Sequence, residues 1–423
     1  MKKRLLIIIA LLYLTSVTAM HIFAESSGFI KKDGREVFPI GCYELPKDDN
    51  ALKAMAAAGI NLVRCRDKAE LDRVAAVGMQ GWISLKLQNG KIEKLSKKIN
   101  SVKDHPALAV WEGPDEIVHS FTRISDLYRV KKIHKTPKDW QNQVPAAVEY
   151  SAQQAAIILP RLRAGAKLIR SLDKQVRPIW INEASRSDLK YMRGYIDNID
   201  ITGCDMYPVS ATNRKVVCMG RATERFKQIG RGQKPVWMVL QAFSWHELGG
   251  RYGKKEAYPS FDQSRLMAYD VIVHGAKGII YWGSHYLKSD DFRQSLYALT
   301  RELAALQPFL VSPEVAKAQL TVIDEYENLT DSNVMMTVCN VADEWLVVLV
   351  NEDAHAHMGV EVSGLEALNG RRLALLYSNE ETEVAQGELI TRMMPYQVKV
   401  FATSRKWETS NIKGRDYGRS GSK

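Results

Sequence analysis

VFPIGCYELPKDDNALKAMAAAGINLVRCRDKAELDRVAAVGMQGWISLKL, residues 37–87, decides the fold. Residues 37–42 form a short apolar run that reads as a strand. Residues 50–58 then place Leu52, Met55 and Ala56 on one helical face, and Gly59 ends the helix. Residues 61–65 are strand-like again. Leu71, Val74 and Ala75 mark a second helix that stops at Gly78, and a third strand covers 81–87. Strands that alternate with helices lie parallel and are joined by right-handed crossovers.

The same rhythm continues downstream. A Lys-rich helix leads to a strand at 108–111, and a long helix at about 146–172, disturbed at Pro160, follows a charged stretch. Further strands are expected at 178–181, 199–204, 236–240 and 278–282. The last helix carries Leu296, Leu299, Leu303 and Leu306 on one face. Eight such units over roughly 270 residues fit a closed (β/α)8 TIM barrel, of class α/β. A doubly wound open sheet fits less well, because no Gly-rich phosphate loop follows any strand.

After Pro313 the pattern changes. Segments 319–326, 334–339, 345–351, 359–362, 372–377 and 397–403 are strand-like with no normal helix between them, and Asn369-Gly370 is a turn signal. The expected organisation is a barrel over 25–312, a small C-terminal antiparallel β-sandwich over 313–404, and a loose basic tail over 405–423.

The N-terminus is basic, with Lys2, Lys3 and Arg4, and then apolar over 5–14. This is the pattern of a secretory signal peptide, here 1–24, cut after Ala19 or Ala24; an uncleaved anchor is the alternative. The expectation is a secreted or periplasmic protein with no stable membrane insertion after cleavage. Loss of three basic residues with the leader brings the formal charge from +11 to +8. An exported chain of that charge has no call for nucleic acid, while an acidic polymer is compatible. The five cysteines, Cys42, Cys65, Cys204, Cys218 and Cys339, show no metal spacing, and their odd number argues against a disulfide framework.

Barrel chemistry sits at the C-terminal ends of strands. There the sequence places Tyr43 and Glu44, then Arg64, then Trp111-Glu112-Gly113-Pro114-Asp115-Glu116, then Asn182-Glu183. Asp205-Met206-Tyr207-Pro208, Gln241, Trp245-His246-Glu247, Trp282 and His285 follow. Carboxylates serve acid–base or nucleophilic steps, aromatic faces stack on sugar rings, and amides bind hydroxyls. Glycoside cleavage needs a carboxylic acid to protonate the leaving oxygen, and usually a second carboxylate.

These phrases resemble the clan A glycoside hydrolases, and most the family 42 β-galactosidases. Asp33-Gly34-Arg35 with Phe38-Pro39-Ile40-Gly41 is similar to their entry into the first strand. Arg64 matches an arginine after the second. Asp115-Glu116 resembles the Asn-Glu pair whose Glu is the acid/base, and Asp205-Met206-Tyr207-Pro208 an Asp-x-Tyr-Pro phrase. His274-Gly275-Ala276-Lys277-Gly278 with Trp282 resembles the approach to the eighth strand and its sugar platform. The resemblance covers about residues 30–310. It implies glycoside hydrolysis with Glu116 as general acid, and Arg64, Asp115, Tyr207, Trp282, His285 and Tyr43 as sugar ligands.

The departure is at the seventh strand, where the family carries its nucleophile Glu and this chain has Leu240-Gln241. Gln241 is expected as a hydroxyl ligand there. Asp205, Glu247 and Glu183 are the candidate partners of Glu116; the substrate's own acetamido group is another. A barrel that binds glycans without cleaving them, or a surface protein with a decayed site, accounts for the same departure. No cofactor is expected. His355-Ala356-His357 lacks a barrel carboxylate partner, so no catalytic metal is expected, and the absence of a Gly-x-Ser-x-Gly elbow leaves serine chemistry unsupported. Segment 117–144, with Arg123, Arg129, Lys131, Lys132, Lys135, Lys138 and Trp140, reads first as a solvated basic insertion and second as a cleft wall for acidic sugars.

Overall fold

The computed structural model describes residues 26–123, 127, 131–136, 138–213, 215–249, 255–286, 288–323 and 333–409. The expected leader, residues 410–423 of the tail and Arg129 lie outside the described residues.

A short hairpin, β1 (Ile30–Lys32) and β2 (Arg35–Val37), precedes the barrel. Eight strands then close on themselves: β3 (Ile40–Cys42), β4 (Leu62–Cys65), β5 (Gln80–Ser84), β6 (Leu108–Glu112), β7 (Ile179–Ala184), β8 (Ile201–Asp205), β9 (Val236–Gln241) and β10 (Gly278–Trp282). All neighbours are parallel, and β10 pairs with both β9 and β3. The expected (β/α)8 barrel is therefore the observed fold.

Local sequence explains the crossovers. Helix α1 (Asp49–Ala57) begins where Asp48 accepts a bond from Ala51 N at 2.7 Å. Helix α2 (Lys68–Ala76) begins where Asp67 accepts from Glu70 N at 3.0 Å. Such caps satisfy amides that have no partner within the helix. Helices α3 (Ile92–Asn100) and α4 (Ile117–Thr122) flank β6. Helix α5 (Pro145–Leu172) runs unbroken through Pro160, contrary to the expected disturbance. That proline is exposed, so water can serve the carbonyl it leaves unpaired. Helices α6 (Leu189–Met192), α7 (Cys218–Ile229), α8 (Phe261–Val273), α9 (Asp290–Ala305) and α10 (Gln307–Leu310) complete the outer ring.

The barrel interior is packed. Leu62, Trp82, Val110, Trp180, Ile201, Trp237, Val239 and Ile280 form its core with Ile30 and Tyr43. Trp180 touches Trp82 at 5.7 Å and Trp237 at 5.2 Å between ring centroids. Truncating a tryptophan buried this way costs about 3–5 kcal/mol. The floor is closed from below: Trp237 Nε1 donates to Gly28 O at 2.7 Å. Gly28 has a φ of +83°, and a Cβ there would lie 2.4 Å from Pro235.

The C-terminal region is two antiparallel sheets. One joins β11 (Gln319–Ile323), β14 (Met358–Ser363) and β17 (Leu389–Met393); the other joins β12 (Val334–Val341), β13 (Glu344–Asn351), β18 (Val398–Ala402), β15 (Arg372–Leu375) and β16 (Glu381–Glu383). Val347, Leu349, Val360, Val362 and Phe401 pack between them. The opposite face of the larger sheet, through Leu346, Val348, Val350 and Val400, shares a core with the barrel. Helix α8 lies at that junction, so it is buried on every side from Ser264 to Val273. Arg265 bonds Glu302 there at 2.9 Å and the Val398 carbonyl at 2.9 Å. Residues 405–409, expected to begin a loose tail, pack instead: the Trp407 ring meets Phe309 at 4.8 Å. The five cysteines are free thiols.

Candidate active site

Strand alternation builds the mouth of the barrel. Successive residues face opposite sides of a strand. The core residues Leu62, Trp82, Val110, Trp180, Val239 and Ile280 point inward. Two positions on, toward the C-terminal end, stand Arg64, Ser84, Glu112, Asn182, Gln241 and Trp282. Tyr43 closes β3, and Asp205 stands four positions after inward Ile201. One side chain per strand thus rings the mouth.

The acidic loop after β6 is held against β7. Gly113 N donates to Trp180 O at 2.7 Å, and Glu116 N to Asn182 O at 2.9 Å. The turn puts Glu116 in the left-handed region at φ +46°, immediately before α4. A non-glycine residue there stores backbone strain, which the flanking bonds must hold. Asn182 Nδ2 donates to Asp115 Oδ1 at 2.9 Å, and Tyr43 OH to the same oxygen at 3.4 Å. The Arg64 guanidinium lies 4.9 Å from the Tyr43 ring centroid.

The Glu116 and Asp205 carboxyls are close enough to influence each other's charge, and the Tyr207 phenol lies beside Asp205. Burial lifts both acids above their ordinary ranges, and the Glu116 charge lifts Asp205 further. Two carboxylates in contact cannot both ionise cheaply, so the pair keeps one proton. Asp115 is exposed at the rim yet ringed by Tyr43, Arg64 and Asn182, and lost hydration still raises its carboxyl. Glu112, wholly buried, is raised to about 7, first by burial and then by the Asp115 charge. Trp82 and Ser84 lie beside it without bonds of good geometry, and both its oxygens lack donors. The phenols of Tyr43 and Tyr207 are pushed up by burial and remain donors.

An aromatic wall rises beside the acids. Tyr207 stacks on Trp282 at 5.4 Å, with 27° between ring planes. Phe243 meets Trp282 edge-on at 5.0 Å, and Trp245 meets Phe243 at 5.2 Å. Trp245 Nε1 also donates to Tyr207 O at 3.2 Å.

The structure thus gathers Tyr43, Arg64, Asp115, Glu116, Asp205, Tyr207 and Trp282 in one place. It sets four other sequence-predicted residues to different work. Glu183 faces outward from β7 and accepts from Val118 N at 2.9 Å, Ser187 Oγ at 2.7 Å and Tyr195 OH at 3.1 Å. It caps α4, and burial raises its carboxyl to about 7. Gln241 points inward, but its Nε2 donates to Val209 O at 2.8 Å and Phe243 O at 2.9 Å, and its Oε1 accepts from Val209 N at 3.0 Å. Its amide is committed to the backbone, which corrects its reading as a hydroxyl ligand. Leu240, beside it, is core. Glu247 accepts from Tyr258 OH at 2.6 Å within a capping box with Ser244. His285 Nδ1 sits 3.1 Å from Glu44 Oε1, and that carboxylate also receives Gly283 N and Ser284 N at 3.0 Å each. Asn182 stands at a strand end in the sequence without a role assigned to it, and Phe243 carries no signal there. Counting by twos from Trp180 finds the first. In the basic stretch, Trp140 is buried against Tyr191 and is not offered to the mouth.

No family model matches the sequence, and no curated protein sequence matches it. Solved structures do match in shape. The β-galactosidase from Bacillus circulans sp. alkalophilus aligns over 87% of this chain and 99% of its own, at 8% identity and a TM-score of 0.54. A family 42 β-galactosidase from G. stearothermophilus aligns over 89% and 98%, at 10% identity and a TM-score of 0.51. A family 5 glycoside hydrolase from Bacteroides vulgatus aligns over 89% and 93%, at 13% identity and a TM-score of 0.50. The chain spans 59% of the length of the β-galactosidases from Marinomonas ef1 and Halorubrum lacusprofundi. At these identities the likeness is one of fold: a closed eight-stranded barrel followed by antiparallel sheets, as in two β-galactosidases and a family 5 glycoside hydrolase.

Proposed function

We propose that this chain is an exported glycoside hydrolase that cleaves O-glycosidic bonds in an oligo- or polysaccharide by carboxylic acid catalysis. The observation that carries the reading is the pair of coupled acids Glu116 and Asp205, both raised by burial at the barrel mouth beside the Tyr207–Trp282 stack. A carboxyl pair that shares one proton is a loaded general acid. Glu116 passes that proton to the glycosidic oxygen as the C–O bond breaks, and water supplies the hydroxyl and returns a proton. Retaining pairs stand about 5–5.5 Å apart and inverting pairs about 6.5–9.5 Å, and two carboxyls that share one proton serve neither arrangement. Glu116 and Asp205 therefore act as one acid, and Asp115, at the rim, takes the proton of the attacking water. The Trp282 face supplies a platform for a sugar ring. The mouth holds Glu112, Asp115, Glu116 and Asp205 against Arg64, so neutral sugars suit it better than acidic ones. The basic-then-apolar start supports export.

A non-catalytic glycan-binding barrel is the second reading, favoured by the backbone-bound amide of Gln241 where a nucleophile would stand. A panel of neutral glycans, β-galactosides first, assayed for new reducing ends separates the two. The enzyme reading expects turnover that Glu116→Gln lowers by about 10²–10⁴-fold while sugar still binds. Binding with no reducing ends from any glycan establishes the second reading.

A further inference from the structure

A second cluster of ionisable groups lies away from the mouth, where the sandwich meets the barrel. Asp270 and His274 stand one turn apart at the end of α8, and Glu352 follows β13; one ligand atom from each lies within 4.8 Å of the others. His274 Nε2 is 2.6 Å from Glu352 Oε1 and 3.7 Å from Asp270 Oδ1. Asp270 is fully buried, and its Oδ1, aimed into the cluster, has no donor. Its other oxygen accepts from Gly220 N at 2.6 Å, which fixes the direction of the free one.

The surroundings suit a cation. His274 Nδ1 faces Glu224 Oε1 at 3.2 Å. A carboxylate at one ring nitrogen holds the proton there and leaves the lone pair on the other, the arrangement that orients metal-bound histidines. Lys227 reaches Glu224 at 3.3 Å and the His274 carbonyl at 3.1 Å, and the Arg221 charge acts on Asp270; among the described residues no Lys or Arg forms an ion pair with His274, Asp270 or Glu352. The backbone of α7 comes in closely: a Cβ at Gly220 would lie 2.5 Å from His274 Nε2 and 2.7 Å from Asp270 Oδ1. In a tetrahedral site with bonds of about 2.0–2.2 Å, ligand atoms stand about 3.3–3.6 Å apart. The present separations bracket that spacing.

We propose that Asp270, His274 and Glu352 bind one divalent first-row transition metal ion of the zinc type, which pins the C-terminal sandwich to the barrel. One imidazole and two carboxylates favour such an ion over calcium, which takes six to eight oxygens. The site is independent of the mouth, so its test leaves the glycosidase reading untouched.

The test is metal titration of the full chain after chelator treatment and desalting. Zinc should bind at about one ion per chain and raise Tm by several degrees, cobalt should give visible d–d bands, and calcium should leave Tm unchanged. His274→Gln and Glu352→Gln should abolish the zinc-dependent rise, and Glu224→Gln should weaken zinc binding about 10–100-fold. Failure of the unmodified chain to hold zinc or gain Tm overturns the proposal, and assigns the cluster to a shared proton between Asp270 and Glu352. Zinc binding that survives both His274→Gln and Glu352→Gln overturns it too, by placing the ion elsewhere.

Discussion

Asn182 and Glu183 are neighbours in the chain, yet they brace the acidic loop from opposite faces of β7. Asn182 reaches inward to Asp115 at 2.9 Å, and Glu183 reaches outward to Val118 N at 2.9 Å. Between these two anchors Glu116 is kept at φ +46°. The alternation of one strand thereby fixes the acid that the proposed chemistry uses.

Glu183 is thus a positioning residue. Glu183→Gln keeps the volume but turns an NH2 toward donors that need acceptors. A loss of about 2–4 kcal/mol of stability follows from leaving such buried groups unpaired. Activity should fall mainly in kcat, with KM little changed, because the aromatic wall is intact. A KM effect equal to the kcat effect would remove the positioning role.

Asp205→Asn tests the shared proton. With one carboxyl gone, ionisation of Glu116 no longer creates a double anion. The pair's second, raised ionisation is then gone, and the basic limb of the kcat/KM profile shifts to the acid side by about one unit or more, equivalent to about 1.4 kcal/mol per unit. An unmoved limb would mean the two groups titrate independently.

Glu112 makes stability depend on pH. Its carboxyl is lifted from 4.5 to about 7 in the folded chain. Below about pH 4.5 it is neutral in both states. Between there and about pH 7 the unfolded chain gives up the proton while the folded chain keeps it, so stability falls as pH rises, by up to about 3 kcal/mol. Glu112→Gln should match the parent near pH 4 and melt higher near pH 8. Part of the slope persists, because Glu183 is also raised to about 7. Melting curves across pH that stay parallel for the two proteins would refute this.

Gln241→Glu puts a carboxylate at the position the resemblance reserves for a nucleophile. Here it would confront the carbonyls of Val209 and Phe243, which the amide now serves at 2.8 and 2.9 Å. The expected outcome is a loss of about 2–4 kcal/mol and no gain in hydrolysis. A variant that is both stable and faster would show that the loop from Val209 can yield.

Much of this architecture is legible in the sequence because short-range rules carry it. Apolar spacing gave the eight strands and most helices, and Asp48 and Asp67 mark helix starts by their own side chains. The mouth was legible wherever strand parity sufficed: Arg64, Asp205 and Trp282 all follow an inward core residue by an even step. The same count sends Glu183 outward, away from the mouth. Ser244-x-x-Glu247 is a capping box readable from spacing alone. Other features depend on long-range partners. Gln241 is engaged by Val209, 32 residues away in the chain, and Glu352 meets His274 across 78 residues. No local pattern announces either. Pro160 leaves α5 unbroken from an exposed position, and exposure is a tertiary property that the residue type does not carry.

The stopper formed by Gly28 and the first hairpin has a practical bearing on handling the protein. It anchors the chain beneath β9 and β10, at the pole opposite the acids. Anything fused ahead of residue 26, whether a purification handle or a tether to a bead, leaves from the underside. Long, branched saccharides would still find the upper opening clear on an immobilised sample.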